Sequence, residues 1–263
     1  MLSLVFEDVF GKFEKYIKKG IMKKLFAVIF AALLLNTFAF SQDSQYFDAP
    51  FGGGIGYSPG WYFPNMDQVN LQMKTFGLPG FSNGGFYTSG IAGFLYLGFI
   101  PQLRVGGMGF GGSTSMSGIV NGENREAIYS LGGGGITVEY TLPFVRDFGI
   151  SVGTVIGRGD LKIELYKNNG SFDWNNTWNE ISNTSTSNYS RTLDNKYWII
   201  TPTINFDIPF QRFVTFRIGA GYQFTFGDNW TVENGQSLNN VPTGLNGKSF
   251  FIQSGVYIGF FSY

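Results

Sequence analysis

Cysteine and histidine are both absent from the 263-residue chain. Without cysteine there is no disulfide framework, thiolate nucleophile or lipid-anchor site. Without histidine, Ser-His and Cys-His catalysis, His-ligated haem and most zinc chemistry are excluded as well. Charge is sparse: Asp, Glu, Lys and Arg make up 14% of the residues, with a formal sum of zero, against roughly 25% in soluble domains. Residues 1–41 hold six Lys/Arg and three Asp/Glu, which leaves 12 against 15 and a net charge of −3 for the remainder. No basic stripe survives to carry nucleic acid.

What is abundant is glycine, at 38 residues, and aromatics, at 18%. With so little charge, this composition favours β structure facing an apolar medium.

A short phrase recurs between alternating apolar stretches: Pro101-Gln102-Leu103-Arg104, Pro143-Phe144-Val145-Arg146 and Pro209-Phe210-Gln211-Arg212. Proline presets φ for a bend and offers no ladder N–H, so each copy reads as a tight hairpin turn, its arginine keeping the turn in water. Between the copies, segments 111–124, 167–192 and 227–247 are rich in Asn, Ser, Thr and Gly and read as long loops at the opposite end. Short turns at one end and long loops at the other is the layout of an outer-membrane β-barrel.

Near the start, Met22-Lys23-Lys24 precedes the apolar run Leu25–Leu35 and a polar stretch ending at Ser41. This reads as a secretory signal peptide over 22–41, cleaved before Gln42; a membrane anchor would need a longer apolar run. Residues 1–21 read as an upstream extension or amphipathic arm, with Met22 the better start, and residues 42–263 form the barrel. Phe51–Tyr57 contains a G-x-G pattern without the flanking strand and helix that a phosphate cradle requires. Gly132–Gly135 fails in the same way.

Asn65 caps an expected helix over 65–76, with Met66, Val69, Met73 and Phe76 on one side and Gly77 and Pro79 stopping it. It lies in the first loop, placed to cover or plug the barrel mouth; an extra strand is the alternative, since Val69, Leu71 and Met73 also alternate.

Strand pairs then run roughly 86–100 with 102–112, 125–142 with 147–166 and 193–208 with 212–226. With 51–57 and 250–263 they make eight, which returns both chain ends to the turn side. The seventh strand sets the facing. Val214, Phe216, Ile218, Ala220, Tyr222, Phe224 and Phe226 alternate with Phe213, Thr215, Arg217, Gly219, Gly221, Gln223 and Thr225. Arg217 at the bilayer midplane would cost about 2–4 kcal/mol, so the polar set lines the interior. The same register points Ile136, Val138, Tyr140, Trp198, Ile200, Ile204 and Phe206 outward, with Glu139, Asn205 and Asp207 inside. Candidate lumen residues are therefore Glu139, Asn205, Asp207, Arg217, Gln223 and Gln253, with Arg217 able to pair with Glu139 or Asp207.

Beyond Ile156 the fifth strand changes phase, Leu161, Ile163 and Leu165 becoming the apolar set, which suggests a bulge at Gly157 or Gly159. The facing of the first hairpin stays open, because Phe94, Leu95, Tyr96, Leu97 and Phe99 are all apolar. Pro202 falls within a strand that wants its N–H. Periodicity alone also admits a soluble lipocalin-like barrel with the apolar set inward. Low charge and the strand-end aromatics Tyr140, Trp198, Phe226 and Phe260 favour the membrane.

With these features the chain resembles the small eight-stranded outer-membrane β-barrels of Gram-negative bacteria over most of 50–263. The resemblance implies an all-β, antiparallel up-and-down barrel in the cell outer membrane. It also implies that insertion machinery reads a C-terminal strand ending in an aromatic residue. Tyr263, Phe261 and Tyr257 match that ending, while Ile252, Val256, Ile258 and Phe260 form a cleaner set on the other phase.

For function, the leading expectation is a structural or surface-interaction role without catalysis or cofactor. Outer-membrane lipid and the insertion machinery are the expected partners, and a surface ligand would meet Trp174, Trp178 and Tyr189 in the long loop. The alternative is a narrow channel for a small, apolar solute, gated by the 65–76 helix. Gly149, Gly153, Gly219, Gly221, Gly255 and Gly259 would open its interior. An enzyme acting on envelope lipid is the least favoured reading, with Asp160, Lys162 and Glu164 as its charged cluster.

Overall fold

The computed structural model describes residues 52–143, 148–170, 173–174, 188–211 and 213–261. The expected signal peptide, the upstream extension, Arg146, Arg212, Trp178 and Tyr263 lie outside the described residues.

The described residues form one antiparallel barrel. Its strands are β1 (Gly53–Tyr57), β2 (Gly60–Pro64), β3 (Phe86–Tyr96), β4 (Leu103–Val120), β5 (Glu123–Thr141), β6 (Gly149–Asn168), β7 (Tyr189–Gln211), β8 (Val214–Val232), β9 (Gln236–Ser237) and β10 (Ser249–Phe260), with helix α1 (Asp67–Phe76) between β2 and β3. β1 and β2 each pair with both β3 and β10, so they are two halves of one strand broken at Ser58-Pro59. β10 closes on β8, β9 only adds two residues to the end of β8, and the ring therefore has eight staves.

Facing follows the two-residue period. Ile136, Val138, Tyr140, Trp198, Ile200, Ile204, Phe206, Phe216, Ile218, Phe224 and Phe226 are exposed, while Thr137, Glu139, Thr201, Asn205, Asp207, Thr215, Arg217 and Gln223 are buried. A barrel that exposes this many large apolar side chains along one band has lipid as its solvent. The first hairpin takes the same sense, with Phe86, Thr88 and Phe94 buried and Tyr87, Ile91 and Leu95 outside. Pro202 sits on the lipid face, where the β7–β8 ladder runs from Ile200–Phe224 to Thr203–Gly221 and omits it.

Three local expectations are corrected, and the facing of the C-terminal strand, open in the sequence, is decided. The segment 111–124 is not a loop: β4 continues to Val120, and Asn121 (φ 52°) with Gly122 (φ 80°) turns directly into β5, the two left-handed residues that a type I′ hairpin demands. Pro209 lies inside β7 opposite Thr215, and pairing continues to Gln211–Val214, so the third turn does not begin at the proline. No bulge interrupts β6, whose pairing with β5 and β7 is continuous from end to end. Leu161 and Ile163 therefore point inward on the same phase as Ser151 and Val155; what changes along β6 is the medium on each side of the wall. At the C-terminal strand, Ile252, Val256, Ile258 and Phe260 face outward, while Tyr257 is buried inside.

Strand length tells where the membrane ends. β3 and β10 have 11 and 12 residues, but β4 to β8 have 18, 19, 20, 23 and 19. Since a tilted strand crosses a bilayer in about 9–11 residues, the wall from β4 to β8 projects roughly 8–12 residues beyond it at the loop end. Outward Arg158, Asp160, Lys162 and Glu164 mark that emergence on β6.

Candidate functional site

The interior is filled in two different ways. Toward the turn end, Arg104 and Glu139 face each other across β4–β5, and Asp207 and Arg217 across β7–β8. Arg217 donates from Nε and NH2 to the two Asp207 oxygens (2.6 and 2.9 Å) and from NH1 to Glu139 Oε1 (3.0 Å). Arg104 donates from NH1 to Asp207 Oδ2 (2.7 Å). Its NH2 stands 3.0 Å from Glu139 Oε2, an ion pair without hydrogen-bond alignment. Asn205 donates to Glu139 (3.3 Å) and accepts from Gln253 (2.8 Å), extending the network to β10. Two guanidiniums thus neutralise two carboxylates, and Phe94 and Tyr257 lie under the cationic faces at 4.6–5.2 Å.

Small residues make this crossing possible. Glu139 is paired with Gly153, Asn205 with Gly219 and Arg217 with Gly255. A Cβ at Gly219 would lie 2.1 Å from Asn205 Oδ1 and one at Gly153 2.7 Å from Glu139 Cγ. The inward glycines therefore do not open a lumen; their space is taken by the long charged side chains of neighbouring staves. Beside Thr137, Glu139, Thr203, Arg217 and Gln253 lies a cavity of about 10 Å³, about what one water needs.

Toward the loop end the interior is apolar, contrary to a wholly hydrophilic lumen. Helix α1 buries Val69 and Met73, Met66 is buried at its N-cap, and the return segment adds Leu78 and Phe81. They pack against Tyr129 and Leu131 of β5, Leu161 and Ile163 of β6, Ile199 of β7 and Trp230 of β8. Tyr62 stacks between Phe110 and Phe251, at 4.8 and 4.7 Å.

Polar contacts seat the plug. Asn65 accepts from Asp67 N–H (2.8 Å), and Gly77 ends the helix at φ 84° with Leu78 N–H reaching Met73 O (2.9 Å), a Schellman stop. Arg125 NH1 donates to Phe76 O (2.5 Å), placing a cation at the helix C-terminus, where the backbone dipole favours it. Asn70 brackets Phe81 through both its amide groups (2.6 and 2.9 Å), and Gln223 donates to Gly247 O (2.7 Å), so the 233–248 connection also closes over the plug.

All six candidate lumen residues are buried. Five belong to the charged network, and Gln223 instead serves the loop connection. Arg104, assigned to a watery turn from its Pro-x-x-Arg context, is 1% exposed and a full member. The signal for it was the phase shared with Gly106, Met108 and Phe110, hidden because β4 carries glycine on both faces.

On the projecting wall, Trp174 is 74% exposed. Tyr189 begins β7, where Arg191 lies 5.1 Å over its ring and donates to its hydroxyl (2.9 Å); Arg191 also meets Glu233 at 3.4 Å. At the hairpin tip Glu123 pairs with Lys167 (2.9 Å) and Arg125 (3.2 Å), and these cations hold its carboxyl below the usual range, Lys167 most strongly. β4 forms one margin of the wall. Its pairing with β3 ends at Gly111–Ser89, so beyond Ser113 the N–H and C=O groups of Ser115, Ser117 and Ile119 face away from β5 without a backbone partner among the described residues.

An apolar outer belt, a closed antiparallel ring and a neutralised interior together define an outer-membrane-type β-barrel. No protein-family model matches the chain, and no curated protein matches its sequence. Among solved structures it is similar to a major outer membrane protein of Thermus thermophilus, at 7% identity and TM-score 0.45, covering 79% of this chain and 99% of that one. It is also similar to Ail, the attachment invasion locus protein of Yersinia pestis, at 10% identity and TM-score 0.39 over 80% and 97%. OprG from Pseudomonas aeruginosa follows at 11% identity and TM-score 0.35 over 81% and 96%.

Proposed function

We propose that the chain is a non-enzymatic outer-membrane barrel whose work is done on the projecting wall at its loop end, as a surface-interaction protein anchored by a sealed stave ring. The observation that carries this reading is the double closure of the interior. A neutral ion network fills the turn end and a helix-centred apolar core fills the loop end, with about 10 Å³ between the network's side chains. Above the belt, by contrast, β4 offers an open edge, a backbone template for an added strand. Its Ser113–Val120 stretch carries no charge and no proline to blunt that edge.

The reading is tested by shortening the β4–β5 hairpin, replacing 115–128 with Asn-Gly so that Thr114 and Tyr129 stay paired, and comparing adhesion of cells that display each protein to immobilised matrix and cell-surface preparations. The expected result is lost adhesion with the barrel still in the membrane. Undiminished adhesion, or stable ion conductance of the intact protein in planar bilayers, overturns it. The second reading, passage of a small apolar solute gated by the 65–76 segment, requires α1 to leave its seat. Leu78 Cδ2 lies 3.2 Å from where a Cβ at Gly118 would stand, so the two positions are neighbours, and a Leu78→Cys, Gly118→Cys pair that oxidises to a disulfide would tether the plug in a chain without other cysteines. Uptake that falls on oxidation would favour the channel.

A further inference from the structure

On the outer wall, just loopward of the apolar belt, an open hollow of about 610 Å³ is set between β6, β7 and β8. Arg158, Asp160 and Lys162 come from β6, and Asp194, Lys196 and Trp198 from β7. All but Tyr197 among its larger lining residues lie on the phase that faces away from the barrel interior. The hollow exists because Gly227 contributes no bulk beside Trp198 and because the β7–β8 register slips between Lys196 and Trp198, splaying the two strands locally.

Its height is set by its neighbours. Arg158 and Trp198 are directly opposite, and the next outward pair toward the turn end is Ile156 with Ile200; Phe226 faces Trp198 from β8. Aliphatic side chains give way here to an aromatic and then to charge, the order met on leaving the hydrocarbon for the head groups. Arg158 lies 4.5 Å over the Trp198 ring. Neither it nor Lys162 nor Lys196 makes an ion pair within 4.0 Å among the described residues, although Lys196 stands across the ladder from Asp160 and Lys162 from Asp194. Three cations against two carboxylates leave the lining with one net positive charge.

We infer that this hollow is a seat for a phosphate-bearing lipid head group of net negative charge, with acyl chains lying on Ile156, Ile200 and Phe226. A head group is the one anion that the membrane itself holds at this height against the outer wall. Arg158, fixed on the indole face, supplies a planar fork for phosphate oxygens, and Lys162 and Lys196 supply point charges on the loop side. The two carboxylates limit the seat to a single phosphate and disfavour a polyanion. This inference is independent of the surface-interaction reading, since it concerns the lipid-facing side of β6–β8 and not the free edge of β4.

The test is native mass spectrometry of the detergent-released, membrane-extracted protein, titrated with phosphatidylglycerol, with zwitterionic phosphatidylcholine and with inorganic phosphate. One phosphatidylglycerol adduct is expected, with weaker phosphatidylcholine retention and no displacement by millimolar phosphate. The triple variant Arg158→Gln, Lys162→Gln, Lys196→Gln should lose affinity roughly a hundredfold, from ~1 kcal/mol per cation near a charged surface. Lys74→Gln, on the plug helix, should change nothing. Equal retention of both lipids, or an unchanged adduct in the triple variant, overturns the inference; displacement by phosphate would assign the seat to the free anion and overturn it too. Should the triple variant fail to fold, Lys196→Glu alone carries the test, since one reversed charge must weaken phosphatidylglycerol and spare phosphatidylcholine.

Discussion

The two ends of the barrel solve the same packing problem with opposite chemistry. At the turn end the wall is apolar outside and ionic within; at the loop end it is charged outside and apolar within. The difference follows from what lies beyond the wall. Where lipid is the solvent, outward residues must be apolar and the interior is the only place for charge, which is stable there because Arg104, Glu139, Asp207 and Arg217 neutralise one another. Where water is the solvent, the same staves behave as a soluble sandwich around α1, and hydrophobic burial again points inward. One strand, β6, passes between the regimes without a bulge, carrying Ser151 and Gly153 inside at one end and Leu161 and Ile163 at the other.

The sharpest way to break this comparison is to unbalance the turn-end network. Arg217→Met leaves two buried carboxylates with one guanidinium and should cost about 3–5 kcal/mol in urea unfolding from lipid vesicles. Replacing Arg104, Glu139, Asp207 and Arg217 together by apolar residues should cost less than that single change. If the quadruple variant is the less stable one, the ionic filling contributes net stability and the account of the turn end is wrong.

At the loop end the corresponding lesion is a cavity. Leu161→Ala, at a fully buried position against the plug, should lose about 2–5 kcal/mol and raise protease sensitivity of the 65–85 segment before the barrel itself unfolds. An identical outward substitution can then report the medium. Ile218→Arg, in the belt, should cost about 2–4 kcal/mol, whereas Ile119→Arg, 77% exposed at the projecting tip, should stay within about 0.5 kcal/mol. Equal costs in the same vesicles would place both residues in one solvent.

Smaller effects refine the plug. Gly77→Ala forces a side chain onto φ 84° and toward Arg125 NH1 at 3.0 Å. It should cost roughly 1 kcal/mol, visible as faster amide exchange in α1 with β7 and β8 unchanged. The smallest is electrostatic. The Glu123 carboxyl titrates below its usual range beside Lys167 and Arg125, so its contribution is present above the unfolded value and fades as pH falls through the folded one. A slight acid-side drop in Tm that vanishes in Glu123→Gln is expected, and a drop that persists assigns the titration to another group.

Much of the belt was legible because lipid imposes strict alternation. Val214 to Phe226 could be faced from a single arginine, and the same register carried to β5 and β7. The loop end was harder to read for a physical reason. A change of solvent inverts polarity without altering geometry, so Leu161, Ile163 and Leu165 looked like a slip of phase at Gly157 or Gly159. The Ser-Thr-Gly stretch at 111–120 looked like a loop because an edge strand above the membrane has no apolar face to alternate. Arg104 was misplaced because glycines on both sides of β4 erase the pattern that would have shown which way it points.

By itself the sequence determined the stave count, the plug helix with its Gly77 stop, and the inward or outward sense of each strongly alternating strand, since these depend on local periodicity and backbone stereochemistry. The helix itself begins at Asp67 behind Met66 and not at the expected Asn65 cap. Only the tertiary structure decided which charges meet and whether the glycines open or close the lumen. It also decided how far the wall rises and which edge is left unpaired. Those outcomes depend on distances between staves remote in the chain, where a side chain from one strand takes the space that a glycine on another leaves.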